Sequence, residues 1–164
     1  MIFETERLLV RQLIESDLEG FHEMQSDPEV MKYVDGEPKS LSEHQKELQE
    51  LIGLYAKRNN EFIIYAIERK LDYQFVGTVA LVKDDHSNDE IGYRFSKKYW
   101  GQGFGFEIVQ GLVRYCISIS KEKLIAYVSP ENKSSERILQ KVGFVQKGIE
   151  EKSGDFIYEW RMDG

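Results

Sequence analysis

The spacing of apolar positions changes period twice along the 164 residues. Leu8 to Leu13 reads as a first strand. Ser16-Asp17-Leu18-Glu19 has the form of a capping box, in which Ser16 and Glu19 satisfy each other's orphan backbone donors. It predicts a helix running to about Gln25. Ser40-Leu41-Ser42-Glu43 repeats the device, and Leu41, Leu48, Leu51, Ile52 and Tyr55 follow at helical spacing. The period then shortens. Glu61 to Glu68, Phe75 to Lys83 and Glu90 to Ser96 are rich in β-branched and aromatic residues with turn-like segments between them, which predicts a three-stranded antiparallel meander.

Beyond the meander the pattern becomes strand, helix, strand. Gly103 to about Ile119 carries Ile108, Val109, Leu112, Val113, Cys116 and Ile117 on one helical face. Leu124 to Val128 is a short apolar strand. Asn132 suits the N-cap of a helix through Val142 with Ile138, Leu139 and Val142 inward, and Gly143 ends it. Strands over Phe144–Glu150 and Asp155–Met162 follow. The helical crossover from the fourth strand to the fifth makes that pair parallel in an otherwise antiparallel sheet. The expected class is α+β: one domain over residues 1–164, a mixed, mostly antiparallel sheet of about seven strands, and about four flanking helices.

Composition narrows the function classes. Apolar residues at 41% and charged residues at 31% describe an ordinary globular chain. No apolar run approaches the ~18–20 residues that cross a bilayer, so no membrane partner is expected. Met1 to Arg7 has no basic segment followed by an apolar stretch, and the expected compartment is the cytoplasm. Cys116 is the only cysteine, which excludes an internal disulfide and a thiolate-cluster metal site. It sits at an apolar helical position and reads as a small buried hydrophobe. His22, His44 and His86 lack metal-ligand spacing, so no metal is expected.

A net charge of −7 argues against nucleic acid as the main partner. The charge is unevenly spread. Ile91 to Glu150 holds ten Lys/Arg against five Asp/Glu, whereas the rest holds twelve against twenty-four. A solvated basic face would explain this. So would a polyanion site beside a surface that attracts a cation.

Tyr99-Trp100-Gly101-Gln102-Gly103-Phe104-Gly105-Phe106 separates the fourth strand from the long helix. Glycines at alternate positions let the chain turn tightly and approach a ligand with no Cβ in the way. The helix behind them points its first free N–H groups and positive dipole end into the turn, an arrangement suited to a pyrophosphate. A structural tight turn would look the same. There is no Gly-Lys-Ser/Thr ending, which excludes a P-loop. Phe106 stands where a dinucleotide fingerprint needs glycine, and no acidic residue closes the next strand to hold a ribose.

About thirty residues on come Asn132-Lys133-Ser134-Ser135 and Lys141-Val142-Gly143-Phe144. Together with Thr5-Glu6-Arg7-Leu8-Leu9-Val10-Arg11, Glu90-Ile91-Gly92-Tyr93 and Tyr99-Trp100-Gly101-Gln102-Gly103, this order of motifs resembles the GNAT superfamily of acetyl-CoA-dependent N-acetyltransferases. More narrowly it is similar to the Rim-type branch, which includes enzymes of ribosomal-protein N-termini. The resemblance spans nearly the whole chain. It implies that the parallel fourth and fifth strands splay, and that backbone groups of Tyr93, Arg94 and Phe95 pair with the pantetheine arm of acetyl-CoA. It implies that amides of Gly101, Gln102, Gly103, Phe104, Gly105 and Phe106 hold the pyrophosphate. Asn132 would bond the pantetheine or neighbouring backbone, and Ser135 would sit near the CoA sulfur. Asn132 as a plain N-cap and Ser135 as an idle hydroxyl are the structural alternatives.

The chain departs from the family at two points. Trp100 stands where the wider superfamily has Gln or Arg, a change the Rim-type branch often tolerates. Leu139 stands where many relatives have a tyrosine general acid, and leucine donates no proton. The resemblance implies direct transfer to a primary amine in a ternary complex. Glu90 is the first candidate base, with Glu150 and Glu159 as substitutes, a strand-four N–H within Tyr93–Phe95 holds the oxyanion, and Ser135 serves the leaving thiolate. Glu90 reads equally as a solvent-facing strand residue. Tyr33, Tyr55, Tyr65, Tyr99, Trp100 and Trp160 could wall a pocket or simply fill the core. The segment from Asp27 to Ser40, with Asp27, Glu29, Asp35 and Glu37, is where the acceptor would be chosen. A peptide N-terminus, polyamine or amino acid would fit, in a monomer or homodimer. A CoA-binding regulatory module without catalysis, and an interaction domain with an empty loop, remain the other classes.

Overall fold

The β-branched run of Phe62–Arg69 (β3), Gln74–Lys83 (β4) and Asp89–Phe95 (β5) forms the antiparallel meander at the centre of one sheet. A computed structural model describes residues 1–163 of the chain. The strand order is β1-β2-β3-β4-β5-β6-β8-β7, with β1 at Phe3–Glu4, β2 at Leu8–Gln12, β6 at Lys123–Val128, β7 at Val145–Ile149 and β8 at Phe156–Arg161. Every neighbouring pair is antiparallel except β5 and β6.

The helices α3 (Phe104–Ser118) and α4 (Lys133–Val142) bury Ile108, Leu112 and Leu139 with Ile91 and Phe95 in the larger core cluster. Helices α1 (Leu18–Ser26) and α2 (Leu41–Leu54) place Phe21, Leu48 and Leu51 against Ala66 of β3 in a second cluster. Side chains alternate across a strand. With Ile91 and Phe95 in the α3/α4 core and Tyr93 packed on it, Glu90, Gly92 and Arg94 face α1 and α2.

The sheet has eight strands, one more than the sequence pattern predicts. The addition is β1, whose two residues pair with Leu9 and Val10 and are too few to show a period. The helix caps divide. Ser40 and Glu43 form their box, with Ser40 N–H donating to Glu43 Oε1 at 2.9 Å and Glu43 N–H to Ser40 Oγ at 3.2 Å. The box expected at Ser16 and Glu19 is replaced. Asp17 instead takes Arg11 through two bonds of 2.8 and 2.9 Å and the Ile14 N–H at 2.9 Å, and α1 starts after it. Two residues assigned to buried faces lie outside them: Leu41 is 52% and Ile117 37% exposed, while His44 takes the inward place on α2. The His44 Nδ1 lies 2.7 Å from the His22 Nδ1, tying α2 to α1. No helix among the described residues is long and apolar enough to cross a membrane.

Candidate active site

The chain turns into α3 through two left-handed residues, Gly101 at φ +76° and Gly103 at φ +81°. A side chain is strained in that region. Gly103 is the N-cap and offers no side-chain acceptor. The first bond of the helix runs from Glu107 N–H to Gly103 O, so the amides of Phe104, Gly105 and Phe106 point unpartnered into the bend. A Cβ placed on Gly101 would meet nothing within 4 Å, whereas one on Gly105 would lie 2.7 Å from Ile138 Cδ1. The bend is therefore open on its outer side and tight on its inner side. Lys141 Nζ sits 4.8 Å from the Phe106 ring and adds positive charge. These donors fit a diphosphate.

A clamp that sequence reading misses holds the bend from behind. The Arg7 guanidinium donates to Glu107 Oε1 at 2.7 Å and to the Gln102 carbonyl at 2.9 Å. Thr5 Oγ1 and the Arg7 N–H both donate to Glu107 Oε2. Burial raises the Glu107 pKa, but these donors outweigh it and hold the carboxylate below its usual range. Thr5 and Arg7 belong to a motif noted for resemblance alone. A partner about a hundred residues away leaves no local signal.

Strands β5 and β6 part almost at once. Their only registered pair is Glu90 with Ile125. Ser96 N–H donates to Val76 O, and a Cβ on Gly77 would fall 2.1 Å from Arg94 O. Main-chain groups alternate sides along a strand. Those of Arg94 and Ser96 thus turn to β4, and those of Tyr93 and Phe95 face the gap. Of the three residues expected to offer backbone there, Arg94 has its main chain in the β4 ladder instead. The Trp100 indole donates to the Phe95 carbonyl at 2.9 Å, closing the end of the gap nearest the glycine bend.

On the far side of the gap, Asn132 Oδ1 accepts the Ser135 N–H at 3.2 Å as an N-cap. The Tyr93 hydroxyl lies 2.9 Å from Ser135 Oγ. Burial raises the Tyr93 pKa against the smaller opposing effect of Ser135, so the phenol stays protonated at neutral pH. Leu139 is 2% exposed and belongs to the core, not to the gap. Sequence alone does not single out the Tyr93 hydroxyl. Its signal is a strand residue of the same parity as Ile91 and Phe95, which the α3/α4 face must receive.

Glu90, the second residue of β5, lies on the opposite face. Burial, and then the fields of Asp84 and Asp85, raise its pKa. Asp84 is the reverse case: burial alone would raise it, but donors from Tyr127, Asn88 and His86 hold it at about 2. The two substitutes for Glu90 are differently placed. Glu159 is surrounded by Lys123, Lys147 and Arg161 at 3.7, 3.9 and 3.2 Å, and Glu150 accepts the Lys152 N–H. Tyr55 and Tyr99 are structural, the first bonding Leu13 and Ile64 and the second buried. Tyr33, in the Asp27–Ser40 segment, donates to the Glu131 carbonyl at 3.4 Å, and Glu29 pairs with Lys97. That segment thus reaches from the end of β5 to the approach of α4. Among the described residues no group of His, Cys, Asp and Glu is arranged to hold a metal.

The chain is similar in sequence and in fold to known proteins. The Acetyltransferase (GNAT) domain family matches residues 7–145. The uncharacterized N-acetyltransferase YoaA of Bacillus subtilis (strain 168) is 30% identical over 152 residues, covering 90% of this chain and 85% of its own. A GNAT-family acetyltransferase from Bacillus anthracis superposes with a TM-score of 0.83 at 24% identity, over 99% of both chains. RimL, a ribosomal L7/L12 α-N-protein acetyltransferase solved with coenzyme A, gives 0.78 at 17% identity, over 97% of this chain and 96% of its own. With the family domain spanning most of its length, this chain belongs to the GNAT family and is an acetyl-transferring enzyme.

Proposed function

We propose that residues 1–164 act as a single cytoplasmic N-acetyltransferase domain of the Rim-type branch, moving an acetyl group from acetyl-CoA to a primary amine. The observation that carries this reading is the open bend of left-handed glycines feeding α3 beside the parted β5 and β6. In this reading the amides of Gly101 to Phe106 receive the pyrophosphate and Phe95 N–H the pantetheine arm. The order of these groups along β5 brings the thioester to Tyr93, whose N–H holds the developing oxyanion. Asn132 Nδ2 is free to donate to the pantetheine, because its Oδ1 is spent on the cap.

The amine approaches from the α1/α2 face. Glu90, with its raised pKa, takes the amine proton directly or through one water. The nitrogen forms a bond to the carbonyl carbon and the carbon–sulfur bond breaks. Ser135 hydrogen-bonds the departing thiolate and passes it a proton while taking one from the Tyr93 hydroxyl, which is refilled from water. With Tyr93 as donor to Ser135, the serine proton is left free to face the sulfur. This pair supplies the acid that Leu139 lacks, which favours an enzyme over a silent CoA-binding module. The enzyme works as a monomer or homodimer without a nucleic-acid partner. Purified protein with acetyl-CoA and an amine panel, read by thiol release, tests the reading. Turnover with at least one amine is expected, and coenzyme binding without turnover would overturn it.

A further inference from the structure

Arg94 lies on the α1/α2 face with Glu90, and acetyl transfer as described leaves it without work. Its guanidinium is half-buried and donates to Gln25 Oε1 at 2.6 Å, a neutral amide. It forms no ion pair with any carboxylate of the described residues. Glu47, the acidic residue whose field reaches it, is engaged with Lys39 at 2.9 Å. Arg11 on the same sheet face shows the contrast: it meets Asp17 at 2.8 Å and Glu68 at 2.6 Å. Where this fold uses a half-buried arginine for structure, it supplies the counter-charges. A guanidinium has five donors, and burial without an anion is costly.

The ground between Arg94 and Glu90 is bare. Gly92 lies midway on the strand, paired with Ala80 of β4, and a Cβ at Gly92 would touch only the Ala80 Cβ, at 3.6 Å. Four residues of strand separate the two charged positions by about 13 Å between Cα atoms, and both lie on the same face of the sheet. The slot thus has a carboxylate with a raised pKa at one end, a small-residue floor, and an unmatched cation at the other. Asp84 and Asp85 add negative charge at the Glu90 end. The diphosphate bend leads into α3 on the opposite face, so Arg94 does not serve the donor. We infer that the acceptor carries a carboxylate close to its amine, and that Arg94 with Gln25 receives that carboxylate while Glu90 meets the amine. This rests on the acetyltransferase reading above and excludes a plain polyamine as the preferred acceptor.

The test is thiol release with acetyl-CoA and matched acceptors: an α-amino acid and its carboxamide, a short peptide with an acidic second residue and its amide counterpart, and a diamine. In at least one pair the acid member should exceed its uncharged partner in kcat/KM by about 10- to 100-fold, the scale of a buried charged hydrogen bond. Arg94→Gln should bring that ratio to about one, and Arg94→Lys should keep part of it. The wild-type ratio needs no variant, so a poorly folding substitution does not weaken the test. Equal rates within both pairs, a preference for the diamine, or an Arg94→Gln protein that keeps its ratio would overturn the inference and leave the acetyltransferase reading standing. Silence with every amine would overturn both.

Discussion

The Tyr93 hydroxyl of β5 lies 2.9 Å from Ser135 Oγ in the first turn of α4, joining the two sides of the parted strands. If Tyr93 acts through Ser135, the two residues form one unit. Tyr93→Phe should lower kcat by about tenfold, and Ser135→Ala by about 10²-fold, within the range of a positioned acid. The double variant should be no slower than Ser135→Ala alone, because a shared pathway gives strongly non-additive effects. Multiplied losses in steady-state kcat would show that the two hydroxyls work separately.

How much of this was legible depends on how local each cause is. Gly143, left-handed at φ +111°, and the box at Ser40 and Glu43 are set within one helical turn, and both stand where the pattern predicts them. The meander is likewise a matter of period. Ser16 shows where local grammar yields: Arg11, already shared with Glu68 across the sheet, takes Asp17 and moves the helix start. Arg7 with Glu107, and Arg94 with Gln25, depend on contacts 100 and 69 residues apart. No window along the chain contains both members of either pair. The main-chain direction at Arg94 needed the β4 register, which fixes parity only once the strands are paired.

Glu90 has opposite effects on rate and on stability. Its pKa is raised by burial and by Asp84 and Asp85, so the folded protein holds this proton more tightly than the unfolded chain does. That stabilisation is complete below the ordinary glutamate value and is lost as pH rises through the raised folded value. Glu90→Gln removes the cost of ionising a buried group. Its melting temperature should exceed the parent's at pH 7, with the gap closing below about pH 4. Its kcat should fall by about 10²- to 10⁴-fold and lose the acidic limb of the pH profile. An unchanged kcat profile would remove Glu90 as the base, whatever the melting curve showed.

The bend can be tested without touching a side chain. Gly101 is left-handed and a Cβ there meets no protein atom, so Gly101→Ala adds only backbone strain, about 1 kcal/mol. If a diphosphate approaches that open side, the KM for acetyl-CoA should rise by more than this strain alone explains, on the order of tenfold or above. Calorimetric titration with coenzyme A checks it. Unchanged affinity alongside the expected small loss in melting temperature would mean that the ligand lies elsewhere.

Asn132 has two ends that can be separated chemically. Its Oδ1 accepts the Ser135 N–H, and the cap is worth about 1 kcal/mol to a helix. Asn132→Asp keeps the acceptor and suits the positive end of α4, so the melting temperature should hold or rise slightly. The same change replaces the Nδ2 donor with a charged oxygen that repels an amide carbonyl. Acetyl-CoA affinity should therefore fall by about tenfold, while Asn132→Ala should lose both affinity and stability. An Asn132→Asp protein that binds coenzyme A as tightly as the parent would reduce this residue to a helix cap, leaving Phe95 to hold the pantetheine arm.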